Sequence, residues 1–357
     1  MIELDKNSKF DIFSRLASLP TNITSSTNIM LFESTQLALN QLLEVMKDDD
    51  CHIICSYGMG GCGKTTFARE VGKRAKELEL FDKVVFTVLS QALIVRKVQG
   101  EIADVLGLSP LLEESEAGRA KRLSLGFQNG GRILVILDDV WGVLNLEDFG
   151  ILSNGNLKGC KIFLTTRVQQ LCSMMNGQRN VPLHLLSPQE AWAFFEKKSC
   201  IGEDSSLNSV AQDVVAECKG LPIAIQAVAT TLKGKPLDSW NDALYKLRRL
   251  KPIGVPAGVI DAFKCTQFSY DALISEEAKR LFLMCCIFLE DYEIKREDLF
   301  MYGVGLGLFR EEDDSFDDLR SRVNATLYHL IDYSLLINYE MRDDCFKIHD
   351  VVHDFAK

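Results

Sequence analysis

Apolar residues fall in two rhythms along this chain of 357 residues. In the first half, four short runs are apolar almost without a break: HIICSY at 52–57, KVVFTV at 83–88, RILVIL at 132–137 and KIFLTT at 161–166. Runs of this length without alternation predict strands buried on both faces. Between them the spacing stretches to three and four. Leu39, Leu42, Leu43 and Met46 share one side of a helix predicted within 31–50. Phe67 to Leu80 predicts a second helix, and Val98, Ile102, Val105 and Leu106 mark a third. Strands alternating with helices predict an α/β unit around a parallel sheet. VPLHLL at 181–186 predicts a fifth strand, which Pro182 confines to an edge because it cannot donate to a ladder.

Beyond residue 186 the rhythm is helical. SPQEAWAFF opens a helix with Ser187 as N-cap, Pro188 at the first helical position and Glu190 completing a capping box. Trp192 and Phe195 then share a core face. KGLPIAIQAVATTL at 219–232 predicts another helix, with Pro222 near its start. From about residue 257 a third block begins. LFLMCCIFL at 281–289 reads as a buried helix, and SLLINYE at 334–340 with CFKIHD at 345–350 reads as a short hairpin. EEDDSFDD at 311–318 reads as an acidic, solvated loop or helix start. The predicted division is a polar, turn-rich linker at 1–24, a sheet-bearing unit at 25–186, a helical unit at 187–256 and a third unit at 257–357.

Composition narrows the functional classes. Hydrophobic residues make up 47% and charged residues 25%, an ordinary globular balance. The net charge of −10 argues against a generally basic nucleic-acid-binding surface. The 11 cysteines are scattered, odd in number and without a Cys-x-x-Cys pair, so they read as reduced, buried thiols of an intracellular, cytoplasmic protein. The N-terminus lacks the apolar core of a signal peptide. The longest apolar run is far shorter than the roughly 20 residues needed to span a bilayer.

The clearest chemistry lies at GMGGCGKT, Gly58 to Thr65, which matches G-x-x-x-x-G-K-[ST] between a predicted strand and a predicted helix. Gly58, Gly60, Gly61 and Gly63 let the backbone wrap a phosphate without Cβ clashes. The N–H groups from Gly60 through Cys62 to Thr66 then form an anion nest, reinforced by the helix dipole. Lys64 reaches the β- and γ-phosphates, and the Thr65 hydroxyl is the expected Mg2+ ligand. RILVILDDVW delivers Asp138 and Asp139 to a strand end, Asp138 to hold Mg2+ and Asp139 to orient or deprotonate a water. The bland alternative is a strand ending in a solvated turn. KIFLTTR brings Thr165, Thr166 and Arg167 to the same edge, where Arg167 either reports a γ-phosphate or pairs with a carboxylate.

These stretches, in this order, resemble the NB-ARC module of plant NLR immune receptors, in the coiled-coil subclass. FDKVVFTVLSQ, ILVILDDVW, GCKIFLTTR, LLSPQEAWAFF, KGLPIAI and LFLMCCIFLEDYEI each resemble a family motif, the last without its usual proline; IHD stands where the family has Met-His-Asp, and the resemblance covers nearly the whole chain. The resemblance implies a parallel-sheet P-loop NTPase domain, then a small helical domain (ARC1) and a winged-helix domain (ARC2). It implies that ADP holds the three closed, and that exchange for ATP or dATP opens them and permits oligomerisation. The resemblance further implies that hydrolysis is at most slow, so that the protein would act as a switch. The acidic run at 311–318 argues against DNA as a partner of the winged helix. Coiled-coil and leucine-rich-repeat domains, effector sensing and cell-death output are implied for a parent protein of which this chain is an excised or truncated core.

The resemblance also explains the terminal KIHDVVHDFAK. HDVVH has the spacing of a zinc-protease helix, but Asp350 stands where that motif needs Glu. The resemblance instead places His349 on the β-phosphate of ADP, with Asp350 orienting the imidazole or tying the hairpin to its neighbours. His353 is expected to be structural. Pro222 is placed near the adenine, with plain helix-start chemistry as its alternative. Phe32 is a further adenine neighbour, in a segment, LFES, that departs from the family pattern. The readings left beside the immune switch are a P-loop ATPase of AAA-like type or a kinase, and a STAND-type transcriptional regulator.

Overall fold

The four apolar runs become neighbouring parallel strands because their backbone groups pair while both faces are covered. The computed structural model describes residues 32–89, 93–151, 159–201, 205–250, 260–289, 292–309, 315–338 and 344–356. The predicted linker at 1–24 lies outside these residues. Helix α1 (Glu33–Val45) is followed by β1 (Ile53–Tyr57), α2 (Lys64–Glu77), β2 (Lys83–Val88), α3 (Val95–Leu106), α4 (Glu116–Asn129), β3 (Ile133–Val140), β4 (Cys160–Thr166), α5 (Gln169–Met174) and β5 (Arg179–Pro182). The strands lie in the order β2-β3-β4-β1-β5, every pairing parallel. Alternate residues feed two cores. Ile54, Phe86, Ile136 and Phe163 pack under α1 and α2 with Leu42 and Phe67. Cys55, Val85, Val135 and Leu164 face α3, α4 and α5 with Ile102, Leu123 and Leu171.

The fifth strand differs from its expected position. It covers Arg179–Pro182, not 181–186. Its first two residues are left exposed, so polar Arg179 and Asn180 pair with β1 at Ile54 and Cys55 through their backbones. Pro182 ends it, and Leu183 N–H donates to the Tyr57 carbonyl at 2.8 Å before the chain leaves the sheet.

Four helices follow: α6 (Pro188–Ser199), α7 (Ser205–Glu217), α8 (Pro222–Leu232) and α9 (Leu237–Arg249). The predicted capping box is present at Ser187 and Glu190. Glu190 also accepts from Ser34 N–H and Oγ, at 3.0 and 2.8 Å, joining α1 to α6. Helix α10 (Ile260–Asp271) adds Ala262, Cys265 and Phe268 to the same core as Phe195, Val228 and Trp240.

The last segment comprises α11 (Glu276–Cys285), β6 (Ile294–Lys295), α12 (Arg296–Gly305), α13 (Phe316–Asp332), β7 (Ile337–Asn338), β8 (Cys345–Lys347) and α14 (Asp350–Ala356). β8 lies antiparallel between β6 and β7, so the expected hairpin gains a third strand. LFLMCCIFL is only in part a buried helix. α11 ends at Cys285, and Ile287 and Leu289 are 81% and 72% exposed. An unbroken apolar run carries no signal of where its helix stops. Of the acidic run, Ser315 and Asp318 form a capping box on α13, while 311–314 lie outside the described residues.

Candidate functional site

The loop from Gly58 to Gly63 leaves β1 at the carboxyl end of the sheet and enters α2 at Lys64. Two of its glycines have φ of +76° (Gly61) and +98° (Gly63), a region that L side chains rarely adopt. Close neighbours add a second constraint. A Cβ on Gly61 would stand 2.4 Å from Ile223 Cγ2, and one on Gly60 would stand 3.0 Å from Val351 Cγ2. Ile223 follows Pro222, the first residue of α8, and its N–H approaches the Gly61 carbonyl at 3.4 Å. The loop therefore lies between the helical layer and α14. Cys62 contributes its side chain to the helical core, so only its backbone is available to a ligand. Burial pushes its thiol up.

Lys64 is 6% exposed and folds back onto the loop, where Nζ donates to the Gly58 and Met59 carbonyls at 3.0 and 2.9 Å. Burial pushes its ammonium down, a cost that nearby anions relieve. Thr65 and Thr66 are exposed at the first turn of α2. Asp138 is fully buried. Its Oδ1 accepts from Thr165 Oγ1 at 2.5 Å, while Oδ2 has no hydrogen-bond partner. Burial pushes this carboxyl up, against the pull of the Thr165 hydrogen bond and of the nearby Thr65 hydroxyl. Buried Ser56 Oγ also lacks a partner, and it sits on β1 in register with Thr165. A left-handed glycine loop at the start of α2, a desolvated lysine and an orphaned carboxylate oxygen beside a threonine hydroxyl together fit a nucleoside phosphate with its divalent cation.

Asp139 takes a different direction from its neighbour. β3 and β4 lose register between Leu137 and Val140, and Asp139 has φ of +55°. In a regular strand consecutive side chains point to opposite faces; this bulge keeps both aspartates at the sheet's end. Asp139 Oδ2 accepts from Trp141 Nε1 at 2.9 Å, and Oδ1 lies 3.5 Å from Arg167 Nε. The Arg167 guanidinium sits over the Trp141 ring, 4.3 Å from its centroid. Its Nη2 pairs with Asp350 Oδ2 on α14, and Asp354 Oδ2 stands 4.0 Å from Nη1. Arg167 is only 15% exposed, so it is no surface arginine.

His349 precedes α14, with Nδ1 against Asp350 Oδ1. The Val351 amide donates to that same carboxylate at 2.7 Å. Burial, then the Arg167 and Lys64 charges, push the imidazole down. Because 33% of the side chain stays exposed, the two cations carry that direction best. His353 is 6% exposed and its Nε2 donates to the Phe288 carbonyl at 2.8 Å, a structural contact. Phe32 caps α1 and sets its ring edge-on to Phe194, with centroids 5.8 Å apart.

The structure thus brings the phosphate loop, Asp138, Asp139, Arg167 and the His349–Asp350 pair to one end of the sheet. It places Pro222 beside that loop through Ile223 and anchors Phe32 on α6. Sequence reasoning missed Trp141, Ile223, Val351 and Asp354. Only Asp354 left a readable signal, four residues after Asp350 and so on the same helical face.

A model of the NB-ARC domain matches residues 35–205. The Arabidopsis thaliana disease resistance protein At4g27190 is 33% identical over 364 aligned positions, covering 100% of this chain and 36% of its own length. The Arabidopsis thaliana disease resistance protein RPS5 is 30% identical over 329 positions, covering 89% of this chain and 36% of its own. The chain therefore spans about a third of the length of these relatives. A signal transduction ATPase with numerous domains (STAND), with a tetratricopeptide repeat sensor, from Pyrococcus horikoshii has a TM-score of 0.57 at 19% identity. The match covers 93% of this chain and 43% of that one, and it is a likeness of fold. Among the described residues no helix is long and apolar enough to cross a membrane.

Proposed function

This chain carries an NB-ARC domain and is similar along its length to plant disease resistance proteins, and from that premise we propose that it is the nucleotide-controlled switch of a cytoplasmic plant immune receptor. ADP occupies the resting, closed state, and ATP or dATP the open one. The reading assigns a nucleotide-binding domain to 25–186, a helical domain to 187–256 and a winged-helix domain to 257–357. Coiled-coil and leucine-rich-repeat domains of a parent protein would sense the pathogen, and oligomerisation of the open state would signal.

One observation carries this reading. The C-terminal segment reaches back to the phosphate loop, with Val351 on Gly60 and Asp350 on Arg167. A group at the loop can then bias the position of a distant helix, provided it binds the two arrangements unequally. Gly58, Gly60, Gly61, Cys62, Gly63, Lys64, Thr65 and Thr66 would hold the phosphates, and Thr65 and Asp138 the Mg2+. The cation would neutralise phosphate charge and relieve the buried Asp138 carboxylate. His349 would meet the β-phosphate, and Pro222 and Phe32 would flank the adenine. Asp139 is engaged by Trp141 and Arg167 in the closed arrangement, which suits a protein that hydrolyses slowly if at all.

The test is to denature the purified protein and identify what it releases by chromatography. Stoichiometric ADP is expected, and its loss from Lys64→Ala. A protein that purifies empty and turns over ATP steadily would instead be a working P-loop ATPase.

A further inference from the structure

Trp141 lies just past the two aspartates of β3 and is not among the residues proposed to hold nucleotide or Mg2+. Yet one indole touches two groups of the site in different ways. Its Nε1–H donates to Asp139 Oδ2 at 2.9 Å, and its ring face carries the Arg167 guanidinium at 4.3 Å. Arginine has a long, rotatable stem, and ordering it in one direction costs side-chain entropy. A ring under the guanidinium plane, with Asp139 near Nε, leaves the two terminal nitrogens for α14. Nη2 meets Asp350 there, and Nη1 lies 4.0 Å from Asp354.

The charge balance makes the placement matter. One guanidinium faces the carboxylates of Asp139, Asp350 and Asp354. Asp139 alone could draw Arg167 back onto its own strand end and away from α14. The indole opposes this by occupying Asp139 Oδ2 with its own donor, so that Asp139 shares the arginine and does not capture it.

We infer that Trp141 is a positioning residue for the switch: its ring and its N–H together aim Arg167 at Asp350, and so set how firmly the closed state holds its nucleotide. This rests on the reading that the Arg167–Asp350 contact closes the site. It makes the residue two places after Asp139 a determinant of nucleotide retention that touches no nucleotide.

The test compares release of a fluorescent ADP analogue from the whole chain in a mutant cycle. Trp141→Leu keeps apolar bulk but loses both ring and donor. It should speed release about tenfold, between the sizes of an exposed and a fully desolvated cation–π contact. Trp141→Phe, which restores a ring face, should recover a substantial part of that difference while melting at the same temperature as Trp141→Leu. In an Arg167→Ala background Trp141→Leu should add less than twofold, because its target is gone. A full, additive effect there, or release from Trp141→Leu equal to the parent, overturns the inference and leaves the Arg167–Asp350 reading standing. If Arg167→Ala itself releases ADP at the parental rate, both fall.

Discussion

Removing the Asp350 carboxylate is the sharpest perturbation of the proposed switch, because the residue lies outside the phosphate loop. Asp350→Ala deletes the partner of Arg167 Nη2 and the acceptor of the Val351 N–H. Both charged side chains are mostly out of water, Arg167 at 15% and Asp350 at 21% exposure. Losing one partner of a fully buried pair costs about 3–5 kcal/mol. Here Arg167 keeps Asp139 at 3.5 Å, Asp354 at 4.0 Å and the face of Trp141, so it is not stranded. The loss is then closer to that of one charge-assisted hydrogen bond, about 2 kcal/mol. That corresponds to roughly a thirtyfold shift toward the open arrangement. Val351 lies against Gly60 where α14 is docked, so under the proposed switch release of ADP would follow opening. The assay is the release rate of a fluorescent ADP analogue chased with excess unlabelled nucleotide. We expect about a thirtyfold acceleration, little further effect from adding Arg167→Ala, and no change in the fraction folded. Release within twofold of the parent, from a variant that is fully loaded and folded, would show that this ion pair does not hold the site closed.

Other consequences follow from the same geometry. Gly61→Ala forces a side chain into a left-handed backbone position and against Ile223, and should cost about 1–3 kcal/mol by chemical denaturation; Ile223→Ala in the same chain should restore part of it, and no recovery would refute the contact. Asp138→Asn removes a carboxylate that burial disfavours, so the nucleotide-free protein should melt higher while Mg2+ ceases to tighten nucleotide binding; a lower melting temperature would show that the charge is already compensated. The His349 imidazole is pushed below its ordinary value of 6.5, so the unfolded chain binds this proton more readily than the folded one. Its stabilising contribution is complete above pH 6.5 and declines as pH falls below that value. Denaturation at a series of pH values should show a shallower acid-side slope for His349→Gln than for the parent, and identical slopes would refute this.

The features legible in the sequence were those encoded within a few residues. GMGGCGKT needs only glycines and the following helix to form its nest, and Ser187 and Glu190 cap their own helix. β1 to β4 were legible because helices cover both their faces, β2 at one edge included, and such burial demands unbroken apolar runs. β5 starts with the exposed polar pair Arg179 and Asn180, so its beginning carried no such sign. The placement of His349 and Asp350 at the same end of the molecule as the phosphate loop came from the order of motifs, through resemblance to a family.

Only the folded chain decided what Arg167 does. The sequence allowed it either a phosphate or a carboxylate, and tertiary packing gave it Asp350 of α14 on one side and Trp141 beneath. The same packing set Ile223 and Val351 against Gly61 and Gly60, so those glycines answer to neighbours as well as to a phosphate. The physical reason is that an ion pair or a stacked ring depends on where separate elements dock. Docking is fixed by the shapes of whole buried cores, which no short window of residues contains.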